Sequence, residues 1–136
     1  MYDTPLAPEQ LLPRLAAAPG RIAALTEGLT PAELRAAPPG GGWSARDVLA
    51  HLRACSDVWG GCIARLLAED RPAFRAVNPT SWVKQTNYRD LEFGPSLRAF
   101  ERTVLSYARW LANHERSHDR QFARIADAAR GARDAT

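Results

Sequence analysis

Apolar residues recur along the chain at three- and four-residue steps, the spacing of helices with one buried face. No alternating strand pattern, β-hairpin signal or strand–helix alternation interrupts them, so the fold class expected is all-α. A first helix is predicted from Pro8 toward Glu27, carrying Leu11, Leu12, Leu15, Ile22 and Leu25, with Gly28 just past its end. Pro19-Gly20 should kink or divide it. Thr30-Pro31-Ala32-Glu33 starts a short helical turn, with Thr30 as the cap and Pro31 at the first helical position. Pro38-Pro39-Gly40-Gly41-Gly42 is the clearest break in the chain.

A second helix opens sharply. Ser44 followed by Asp47 is a capping-box pattern, and Val48, Leu52, Cys55, Trp59, Cys62, Ile63 and Leu66 then form a stripe. Gly60-Gly61 in mid-helix signals a close approach by a neighbour. This helix should end near Glu69, ahead of Arg71-Pro72. Residues 70 to 95 read as a long connection rich in aromatic residues: Phe74, Trp82, Tyr88 and Phe93. It is either a lid or pocket wall, or an aromatic clasp over the helices. From Ser96 to about Arg130 there is neither proline nor glycine. Leu97, Phe100, Val104, Tyr107, Leu111, Phe122 and Ile125 keep helical spacing, giving one very long helix or two with a poorly marked joint.

Length changes this picture little: 136 residues form one domain with a modest core. The net charge is +3, and Lys84 is the only lysine. The arginines are spread among acids rather than gathered on one face, which argues against nucleic acid as a partner. No apolar run reaches the roughly twenty residues of a membrane span. The N-terminal MYDTPLAPEQ does not resemble a signal peptide, so a cytoplasmic protein is expected. Cys55 and Cys62 lie two helical turns apart, too far for a disulfide, and fit a reducing compartment.

The candidate chemistry lies in the three histidines, His51, His114 and His118. Residues four apart on a helix project within about 40° of each other, so His114 and His118 can grip one ion from one face. Both fall on the stripe of Tyr107, Leu111, Phe122 and Ile125, whereas Arg116, Arg120 and Arg124 lie on nearly the opposite face. His51 sits beside Leu52, one turn into the second helix. Three imidazoles on core-facing stripes are costly unless partnered. A shared divalent ion satisfies all three and leaves one position open, the geometry of a catalytic zinc-type site. The alternative is that each histidine bonds a carbonyl or an acid. Cys55, four residues after His51, would close the site into a structural one if it joined, and is otherwise a small core residue.

The stretches "GGWSARDVLAHL", "SWVKQTNYRDLEFGPSLRAF" and "YARWLANHERSHDRQFARI" together resemble the DinB/YfiT-like superfamily. That resemblance implies an up-down four-helix bundle with a divalent metal held by His51, His114 and His118, and it matches Gln121 to a glutamine of the final helix. The ion implied is zinc, nickel, manganese or iron, with zinc or nickel favoured. The family includes thiol-dependent S-transferases and is related to mycothiol-dependent maleylpyruvate isomerase. The resemblance thus implies a metal-dependent transferase or hydrolase acting on a small molecule, with a low-molecular-weight thiol as co-substrate in the transferase case. The competing reading is a non-catalytic bundle with a structural metal or a protein partner. In one respect the chain departs from the family: Phe100 runs directly into Glu101, where a helix and a loop are expected. That helix is deleted, supplied by a second subunit, or missing from the chain as written. A bundle short of a helix leaves Val48, Leu52, Trp59, Ile63 and Leu66 uncovered, so a homodimer is expected.

Overall fold

A computed structural model describes residues 7–134, with the side chains of all of these except 8, 108, 110–112, 114–118, 129 and 132–134. The described residues form helices and no strands. Six helices follow in order: α1 (Pro8–Ala16), α2 (Ala18–Leu25), α3 (Pro31–Arg35), α4 (Ala45–Ala68), α5 (Pro79–Val83) and α6 (Phe93–Asp134).

The division between α1 and α2 falls at Ala17, two residues before the expected Pro19-Gly20. Pro19 takes an early position in α2, where its missing N–H costs nothing. The caps form as the sequence indicates. Thr30 Oγ1 accepts from the Glu33 backbone while the Glu33 carboxylate accepts from the Thr30 N–H at 2.7 Å. Ser44 and Asp47 make the same reciprocal pair at the head of α4. The break at 38–42 holds because Gly40, Gly41 and Gly42 all take positive φ.

The connection after α4 returns to the head of that helix. There Arg89 Nε bonds Asp47 Oδ1 at 2.8 Å, and Leu91–Pro95 lie beside Arg46. α6 therefore starts beside the start of α4 and runs parallel to it, and Tyr107 comes level with Gly60. Two clusters hold the assembly. Leu49, Phe100 and Val104 are buried between α4 and α6, with Ile22, Phe93 and Leu97 packed around them. Ala50, Ala54 and Val83 seat α5 on the adjacent face of α4, under Trp82 and Tyr88.

The core is thus offset from the predicted stripe. Cys55 is buried as expected, but Val48, Trp59, Ile63 and Leu66 are exposed. α4 serves two neighbours at once, and its alanines allow α5 to approach closely. The face that the large side chains define has no cover among the described residues. Phe122 and Ile125, also expected inside, are 71% and 59% exposed. α6 is one unbroken helix through Phe100–Glu101. The register with α4 puts Ala68, its last residue, level with about residue 115, so the remainder of α6 runs past the end of its neighbour.

The close approach signalled by the glycine pair belongs to Gly60 alone. A Cβ there would collide with the Tyr107 ring, whereas at Gly61 it would meet open space. Gly61→Ala should raise stability by about 0.5–1 kcal/mol through helix propensity. Gly60→Ala has the same propensity gain but overpacks the α4–α6 contact, costing about 1–3 kcal/mol. Thermal melts of the two variants should shift in opposite directions.

Candidate metal centre

His51 is the part of the expected site whose side chain is described. It projects from the second turn of α4 beside Trp43, with ring centroids 5.1 Å apart. Its Nε2 lies 3.4 Å from Cys55 Sγ. Its Nδ1 is buried and has no hydrogen-bond partner among the described residues. Trp43, Asp47, Thr80, Val83, Lys84 and Arg89 complete a pocket of about 240 Å³ around it.

The pocket wall depends on the long connection, which acts as clasp and wall together. Asp57 Oδ2 accepts from Trp82 Nε1 at 3.1 Å and from Tyr88 Oη at 2.5 Å. The Arg53 guanidinium stacks 3.9 Å over the Tyr88 ring and donates to Ser96 Oγ. These bonds fix α5 against α4 and so place Thr80, Val83 and Lys84 over His51. Burial, and then the bond to Asp57, raise the Tyr88 pKa, so its hydroxyl remains a donor. Nothing in local periodicity flagged Asp57, because its partners lie 25 and 31 residues away.

The electrostatics separate the two groups nearest the imidazole. Burial pushes the Cys55 thiol above its ordinary value, so it stays neutral near pH 7. Burial acts upward on Asp47 too, but the bonds from Ser44 and Arg89 outweigh it and hold the carboxyl below its usual range. Asp47 is therefore committed as an anion to the helix cap and to Arg89.

The side chains of His114 and His118 lie outside the described residues, so their convergence with His51 does too. Their backbone positions on α6 are described. His51 is nine residues before Gly60, and His114 is seven residues beyond Tyr107, which stands level with Gly60. At roughly 1.5 Å per residue, His114 and His118 stand about 24 and 30 Å along the axis from His51. Among the described residues, no group of three or more His, Cys, Asp and Glu side chains is placed to hold an ion. An orphaned imidazole nitrogen at a pocket edge fits a metal ligand, but one histidine is not a metal site.

Comparison with known proteins then places the chain. Residues 14–99 match the DinB superfamily. The chain belongs to that superfamily. His51 falls inside the matched stretch, and His114 and His118 fall beyond it. The chain is 28% identical over 113 residues to a candidate metal-dependent hydrolase from Geobacillus thermodenitrificans (strain NG80-2), an alignment covering 79% of this chain and 58% of that protein. The fold matches YfiT from Bacillus subtilis, described as a probable metal-dependent hydrolase with an unusual four-helix bundle topology. That match has a TM-score of 0.66 at 19% identity and covers 83% of this chain and 66% of YfiT. The chain thus spans a little under two thirds of the length of these relatives. No helix among the described residues is long and apolar enough to cross a membrane.

Proposed function

We propose that this DinB-superfamily chain is a divalent-metal-dependent enzyme acting on a small molecule, with His51, His114 and His118 as the metal ligands and zinc or nickel as the ion. The observation that carries this reading is the buried Nδ1 of His51 at the edge of a pocket, without a hydrogen-bond partner among the described residues. The relatives named for metal-dependent hydrolysis support it. Hydrolysis is the reaction favoured, and transfer of a low-molecular-weight thiol is the alternative within the same site.

When bound, such an ion supplies Lewis acidity toward a substrate oxygen or lowers the pKa of a water or thiol. The chain's own residues account for the rest of the pocket. Trp43 packs on the imidazole and restricts its orientation. Arg89 is tied to Asp47, whereas Lys84 has no ion pair among the described residues, so it can receive an anionic group of a substrate. Cys55 is buried and fills space beside His51. The 3.4 Å approach of its sulfur to Nε2 is the one observation favouring a closed structural site instead.

Metal analysis of the purified protein tests the reading. Wild type should carry stoichiometric ion, His51→Ala should lose it, and Cys55→Ala should keep it. Equal loss in both variants would place Cys55 among the ligands and make the site structural. Wild type that takes up no divalent ion would refute the proposal.

A further inference from the structure

Two features of this chain are complementary. The first is the open face of α4, where Trp59, Ile63 and Leu66 are 59%, 43% and 58% exposed, together with Val48 at 42%. The second is the end of α6, which runs past α4 for nearly twenty residues, about 28 Å, and carries Phe122 and Ile125 into solvent. An isolated helix of that length is marginal in water unless its apolar face is packed. One chain therefore has both an unfilled place for a helix and a helix without a place.

We infer that two copies of the chain pair with their α6 helices antiparallel about a two-fold axis near Tyr107, each laying its α6 along the open face of the other, the stretch of about 101–108 beside Trp59, Ile63 and Leu66 and the α6 end over Val48, so that the metal site is built from His51 of one subunit and His114 and His118 of its partner. The inference rests on the metal-site reading above. The register supplies the argument. Parallel α4 and α6 carry His114 and His118 away from His51 within a chain, whereas an antiparallel partner helix brings them back. His51 is level with about residue 98 of its own α6, nine residues before Tyr107. The partner's His114 and His118 lie seven and eleven residues after its own Tyr107, so they straddle that level. The same register sets the partner's Phe122 and Ile125 at the head of α4, beside an apolar groove of about 210 Å³ lined by Ile22, Leu25, Val48, Leu52 and Phe93. A symmetric contact of this kind closes on itself and leaves no unpaired face to propagate.

Mixed subunits test this directly. His51→Ala and the double variant His114→Ala/His118→Ala are co-expressed with different tags, and the heterodimer is isolated through both. If the ligands come from both subunits, the heterodimer has one intact site and one site with no histidine. It should bind about one zinc or nickel ion against two for the wild-type dimer, while each variant alone binds none. Trp59→Asp/Ile63→Asp, at positions exposed in the single subunit, should sediment as a folded monomer and lose the metal with every histidine in place. A heterodimer that binds no ion, or a wild-type monomer that binds one, would overturn the shared site while leaving the metal reading intact. A wild type that binds no ion overturns both, so the two failures are told apart.

Discussion

Phe100→Ala should destabilise the protein by about 3–5 kcal/mol in urea unfolding, the cost of a cavity where a buried aromatic stood. Phe100 is 5% exposed and packs on Leu49 and Val104, at 2% and 3%, in the contact that joins α6 to α4. Few large side chains are fully enclosed among the described residues, so little there compensates for the loss. Phe122→Ala is the control on the same helix. Its side chain is mostly in solvent, and its removal should leave the stability of a single subunit nearly unchanged. If the α6 ends are exchanged between subunits, Phe122→Ala instead weakens association, visible as a midpoint that depends more steeply on protein concentration. A small effect at Phe100 would mean that α6 does not share the core of α4.

Asp57→Ala should cost about 2–4 kcal/mol. One carboxylate oxygen accepts from both Trp82 and Tyr88, and its removal leaves two part-buried donors without their partner, at roughly 1–3 kcal/mol each. The loss should also be local. α5 loses its anchor, so amide exchange should rise across residues 79–92 before it rises in α4 or α6. Tyr88→Phe removes only one of the two bonds and should cost about 1 kcal/mol. If Asp57→Ala matched Tyr88→Phe, the clasp would owe its stability to apolar packing on Ala50 and Ala54 rather than to this bond pair. Because the clasp places Thr80, Val83 and Lys84 over His51, the Asp57 variant should also hold any pocket ligand more weakly than wild type.

The elements of this protein were legible in its sequence wherever a local interaction decides the outcome. Ser44 with Asp47 and Thr30 with Glu33 bond across three residues, so their capping boxes could be read directly from residue type and spacing. The absence of proline and glycine from Ser96 to Arg130 permitted a helix crossing Phe100–Glu101 without a joint, and α6 is one helix. The residues of "LAHL" lie in the stretch that matches the superfamily, so His51 was also within reach of the sequence. What periodicity could not supply was which apolar face of α4 has a neighbour. Leu49, Ala50 and Ala54 are buried and Trp59 and Ile63 are not, because burial depends on what packs alongside, and small residues mark close contacts as well as large ones do. Nor could it supply the direction of α6. The connection between α4 and α6 is long enough to return either to the same end or to the other, and residue spacing does not distinguish them. The Asp47–Arg89 contact closes it at the head of α4 and makes the two helices parallel. The sequence alone thus determined an all-α chain, the capped starts of α3 and α4, and its three histidines. Tertiary structure decided that α4 and α6 start side by side and run parallel, because helix direction is set by the long-range Asp47–Arg89 contact, which no local pattern encodes.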